Sequence, residues 1–70
     1  MDAREQFARN LRQRREALGL SQEELGDRCD LHRTEVSLLE RARRDPRLNT
    51  LVKLARALGV TPAALLDGVK

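Results

Sequence analysis

A single cysteine, Cys29, stands in this chain of 70 residues. No disulfide can close within it, and such cysteine usage suits a reducing cytosol. Apolar runs are short, so no segment is long enough to span a membrane. The first ten residues, MDAREQFARN, are charged and lack the apolar stretch of a signal peptide. A cytoplasmic location is expected. The period-two alternation of a half-buried strand is missing as well. So are a glycine-rich phosphate loop, an internal repeat, a linker and a low-complexity tract. Cys29 and the one histidine, His32, form a C-x-x-H pair, but a zinc site needs more ligands than the pair supplies. A buried turn cysteine is the simpler reading. A nucleophile and base could also be drawn from these two, yet a chain of this size leaves little room for a substrate pocket. The expectation is a protein that is not an enzyme, holds no metal or cofactor, and has no small-molecule ligand.

What is present is charge, and its distribution says more than its sum. Fourteen basic residues face eleven acidic ones, for a net charge of +3. Arg41, Arg43, Arg44 and Arg47 crowd one short stretch, opposed there only by Asp45. Arg9, Arg12, Arg14 and Arg15 form a second cluster. Patches of this kind suit a polyanion; the alternative for each is a solvated, solubilising face.

Pattern and punctuation give an all-α chain of five helices forming one domain, residues 1–70, with a modest core. The first helix is expected over Asp2 to Leu18, with Phe7, Leu11 and Leu18 on one stripe and Gly19 as its stop. Ser21 and Glu24 make a capping box for the second helix, which runs from Gln22 to about Arg28 with Leu25 inward. Cys29, Asp30 and Leu31 form a turn. The third helix begins at His32 or Arg33 and ends near Arg41. After the arginine-rich loop, Asn49 is the expected cap of a fourth helix with the stripe Leu51, Leu54, Ala55 and Leu58, stopped by Gly59. Thr61 caps and Pro62 starts a short fifth helix. Leu65 and Leu66 return to the core, and Gly68 ends it.

Two short helices across a tight turn, Ser21 to Arg41, form a helix-turn-helix, whose second helix is presented to the major groove of DNA. On a helical wheel, Val36 and Leu39 point to the core. Arg33, Thr34, Ser37, Leu38 and Arg41 point away. The outward set has the chemistry of base readout. Arginine bonds bidentately to guanine, hydroxyls bond to bases or phosphates, and an apolar group such as Leu38 can meet a thymine methyl. Arg33 could instead be a solvated surface arginine, and Leu38 a core-edge or subunit-interface leucine.

The segments LRQRREALGLSQEEL, LHRTEVSLLER and LVKLARALGVTPAALL resemble the XRE/Cro-type helix-turn-helix family. That family includes the phage repressors and the controller proteins of restriction-modification systems. The resemblance spans about Phe7 to Gly68, and Leu31 to Ser37 is particularly similar to the controller pattern. It implies a compact five-helix, lambda-repressor-like DNA-binding domain. It also implies a phosphate-contacting glutamine at Gln22, an Arg15–Glu40 pair linking the first and third helices, and a dimerisation segment at the fifth helix. The chain departs from the pattern at Gly26, where alanine is usual; at Asp30, where a turn glycine is usual; and at Ala42, where glycine commonly ends the third helix. At His32, the N-cap, Ser, Thr or Asp is usual.

The expected function is therefore a sequence-specific DNA-binding transcriptional regulator acting as a homodimer on an inverted repeat. It would be of the controller or small-repressor kind. Arg33, Thr34, Ser37 and Leu38 would read bases. Ser21, Gln22, His32, Arg41, Arg43, Arg44 and Arg47 would contact phosphates. Val52, Pro62, Ala63, Ala64 and Val69 would form the dimer surface. The competing expectation is an antitoxin-like protein-interaction module on the same fold. The two differ in that DNA binding falls steeply with salt.

Overall fold

The computed structural model describes residues 1–70. Five helices follow in order: α1 (Ala3–Ala17), α2 (Gln22–Cys29), α3 (Arg33–Glu40), α4 (Leu48–Leu58) and α5 (Pro62–Leu65). There is no strand, and no helix is long and apolar enough to cross a membrane. Helix α3 packs against α2 and α1, α4 against α2 and α5, and α5 also touches α1. The core so enclosed joins Phe7 and Leu11 of α1 to Leu25 and Cys29 of α2 and to Val36 and Leu39 of α3. Leu20 of the α1–α2 turn, Leu51, Leu54, Ala55 and Leu58 of α4 and Leu65 of α5 complete it.

Local chemistry sets most helix ends. Asp2 and Glu5 form a capping box on α1, and Ser21 and Glu24 form one on α2. Each box satisfies N–H groups that a helix start leaves without partners. At Glu24, hydrogen bonds from the Ser21 backbone and side chain hold the carboxyl below its ordinary range. Thr61 caps α5 through Oγ1, which accepts from Ala64 N at 3.1 Å.

Several sequence expectations need correction. Leu18 is not a core residue: it is the C-cap of α1 and is 51% exposed, while Leu20, beyond the glycine stop, is buried. Leu66 does not return to the core either, being 38% exposed beside a fully buried Leu65. Adjacent residues in a helical turn point about 100° apart, so a four-residue helix seats only one of the two. Asn49 does not cap α4. The helix starts at Leu48 with Arg47 as N-cap and no side-chain cap bond. The Arg47 carbonyl, which accepts from Leu51 N at 2.9 Å, opens the helix before Asn49 is reached. Val69 packs on the core and is half-buried, so only part of its side chain stays open to a partner.

The turn between α2 and α3 explains Gly26. Asp30 takes a left-handed conformation with φ 58, which Asp tolerates better than most residues. This folds Leu31 back so that its N–H bonds to Gly26 O at 2.8 Å. A Cβ on Gly26 would overlap the Leu31 carbonyl oxygen. The glycine thus costs helix propensity but admits the turn at its closest approach. Helix α3 ends at Glu40, and Ala42 beyond it has φ 57, a strained conformation for a residue with a Cβ.

Candidate nucleic-acid interface

Helix α3 has two chemically distinct faces. Val36 and Leu39 are fully buried on one, and Glu40 lies 7% exposed beside them. Arg15 of α1 meets Glu40 as a fork: Nε donates to Oε2 at 2.6 Å and Nη2 to Oε1 at 2.9 Å. Arg15 Nη1 also donates to the Leu20 carbonyl at 2.7 Å. The fork raises the Arg15 pKa above its ordinary value, through its hydrogen bond to Glu40 against the opposing cost of burial. Gln22 Nε2 adds a third donor to Glu40 at 3.1 Å, and Arg12 approaches the same carboxylate at 3.7 Å. Donors from α1 and α2 thus converge on one carboxylate of α3. No buried side-chain N or O atom in the chain lacks a partner, as a buried charge requires.

The other face looks outward. Arg33 and Thr34 are exposed, and Ser37 and Leu38 are half-buried at its flank. The Arg33 guanidinium is two-thirds exposed and lies 3.2 Å from Glu23 on α2. His32, also exposed, caps α3: its Nδ1 accepts from Thr34 N at 3.0 Å. A histidine thus fills a role usually given to smaller side chains. Glu35, which could have bonded back to the helix start, instead accepts from Arg44.

The loop between α3 and α4 is tied at two points, to α3 by the Arg44–Glu35 pair and to α1 by Arg4, which donates to Asp45 at 2.6 and 3.3 Å. The bond from Arg4 lowers the Asp45 pKa. Arg43 and Arg47 are exposed and stand outside the ion pairs of the chain. Arg41 reaches only the Ser37 carbonyl at 3.4 Å. Ser21 is exposed, its hydroxyl accepting from Glu24 N at 3.0 Å. Cys29 is buried, its Sγ donating to the Leu25 carbonyl at 3.1 Å, and burial raises its pKa.

The structure therefore brings Arg33, Thr34, Ser37 and Leu38 together along α3, with His32 at its start, Arg41 and Arg43 just beyond its end, and Arg47 at the N-cap of α4. It draws Gln22 toward Glu40 and Arg44 toward Glu35. The carboxylate partners Glu23 and Glu35 escaped sequence reasoning. Their arginines lie ten and nine residues away, outside the three- and four-residue spacings that betray pairing on one helix. The Asp2–Glu5 box was missed too, although its spacing was readable.

An exposed polar face on the second helix of a buried helix-turn-helix defines a DNA-binding module. The family model HTH_3, described as Helix-turn-helix, matches residues 11–65, and the chain belongs to this family of DNA-binding transcription regulators. It is 45% identical over 62 residues to Control protein C.BamHI of Bacillus amyloliquefaciens, across 87% of this chain and 76% of that one. The hypothetical transcription factor NHTF from Neisseria superposes with a TM-score of 0.89 at 46% identity, covering 93% of this chain and 75% of that one. The restriction-modification controller protein C.AhdI from Aeromonas hydrophila gives 0.86 at 40% identity, with 89% and 94% covered.

Proposed function

We propose that this chain is a homodimeric transcription regulator of the controller type, reading an inverted-repeat operator through α3. The observation that supports this most directly is the division of α3. One face is fixed by Val36, Leu39 and Glu40, which leaves Arg33, Thr34, Ser37 and Leu38 for DNA. Arg33 reads guanine, and the hydroxyls and Leu38 contact neighbouring bases. Arg41, Arg43 and Arg47 grip phosphates, with Ser21, Gln22, His32 and Arg44 as further phosphate contacts. Glu40 holds Gln22 in place, and Glu35 partly neutralises Arg44. The controller role rests on the likeness to C.BamHI and C.AhdI. The protein acts without catalysis.

A homodimer suits the dimensions of DNA. The longest extent of one copy is 29 Å, and its single reading helix spans a few base pairs. Two half-sites on one DNA face lie about 34 Å apart, so an inverted repeat would take two copies. Pro62 and Ala63 are exposed, Val52, Ala64 and Val69 are half-buried, and the exposed Leu66 extends the same apolar surface around α5. Binding-site selection followed by footprinting tests the reading. An inverted repeat protected over two successive major grooves supports it, with affinity falling steeply as salt rises. Recovery of no preferred sequence overturns it.

A further inference from the structure

The cap at the start of α3 has a second end. His32 Nδ1 accepts the Thr34 N–H at 3.0 Å, which requires a lone pair on that nitrogen. The ring proton therefore sits on Nε2, the nitrogen on the opposite side of the imidazole. Ser and Thr, which cap through their oxygen, carry their one O–H donor on that same short-reaching atom, and an ionised Asp carries no donor, so none of them extends a donor across a ring to a more distant partner. His32 is exposed. It stands immediately before Arg33, at the end of α3 that a helix-turn-helix turns toward the bases. On one side lie Glu23, Asp27 and Asp30 of α2 and its turn. On the other lie Glu35, Arg44, Asp45, Arg47 and Thr50. None of these hydrogen-bonds to Nε2.

We infer that His32 is a DNA-contacting residue with a fixed tautomer, its cap committing Nε2–H as a donor to an acceptor on the DNA. This rests on the proposed function and deepens it. The acceptor is a phosphate oxygen or the N7/O6 edge of a purine, since both take a neutral N–H donor. A neutral donor releases no counterion, which separates His32 from the arginines of the same face.

The test uses the full chain and the tightest duplex recovered by binding-site selection. His32→Ser keeps a strong cap and removes the second nitrogen. It is expected to leave the thermal midpoint unchanged or raised while weakening binding about tenfold, the scale of one lost hydrogen bond. The slope of log K against log salt should stay as in the unsubstituted protein. A methylphosphonate at individual phosphates and 7-deazaguanine at individual guanines then locate the acceptor. The modification at the contacted atom should weaken the unsubstituted protein and leave the His32→Ser protein unaffected. Equal binding by the two proteins overturns the inference, as does a deficit that no single modification abolishes. Arg33→Ala in parallel separates the two failures. If Arg33→Ala loses the operator and His32→Ser does not, His32 is only a cap. If neither loses it, reading by α3 itself fails.

Discussion

Arg15–Glu40 and Arg33–Glu23 are the same chemical pair in two settings. Side-chain exposure is 11% and 0% in the first and 67% and 64% in the second. The buried fork is met by Gln22 and anchored to the Leu20 carbonyl, so its loss strands a charge in the core. The exposed pair has a single contact in high dielectric and contributes next to nothing to stability. Each setting suits a different task. Glu40 sets the position of α3 on α1 and α2. Glu23 holds Arg33 by one exposed contact, which, on the proposed function, DNA would displace.

The comparison breaks most visibly at Arg15. Arg15→Met should cost about 3 kcal/mol, because Glu40 stays buried with its main partner gone. The Arg15→Met/Glu40→Leu double substitution should cost less than the single one, as read by urea unfolding. Additive losses would show that the two residues are not coupled. Arg33→Ala falls on the opposite side. It should leave the thermal midpoint within a degree or so while weakening operator binding by about 1–3 kcal/mol and relaxing one base preference per half-site. Equal loss on random DNA would reduce Arg33 to a phosphate contact.

Gly26→Ala is expected to destabilise by about 1–2 kcal/mol, the clash with Leu31 outweighing the gain in helix propensity. A more stable alanine variant, judged by calorimetry, would mean that the turn yields freely. Among the loop arginines, Arg43→Gln should reduce the salt slope of DNA binding by about one. Arg44→Gln, already neutralised by Glu35, should change it less.

The smallest effect is acid sensitivity at Glu24 and Asp45. Both carboxyls sit below their ordinary range, through Ser21 and Arg4 respectively. Their contribution is present above the unfolded carboxyl pKa and is lost as pH falls through the lower folded one. NMR titration should find both midpoints below those of model peptides.

Where one residue type and its spacing carry the physics, the sequence was enough. Ser21 with Glu24 announced a helix start, Gly19 and Gly59 announced stops, and the leucine period of α4 named its core face. These are local interactions spanning one helical turn. The outward direction of Arg33 and Thr34 followed from the same period, once Val36 and Leu39 were assigned inward. Other features depended on what the rest of the chain brought alongside. Leu18 and Leu66 fit their stripes on paper, but Leu20 and Leu65 fill the core. Gly26 looked like a weakness in α2 until Asp30 folded the Leu31 carbonyl against it. Glu23 and Glu35 became partners of Arg33 and Arg44 only when the turn and the loop brought distant positions together. The sequence by itself determined the helices, the caps of α2 and α5 and the identity of the exposed face, because those rest on neighbours within a few residues. Only the tertiary structure decided which leucines the core admits and which arginines a carboxylate holds, because core volume and ion pairing are contests between residues far apart in the chain.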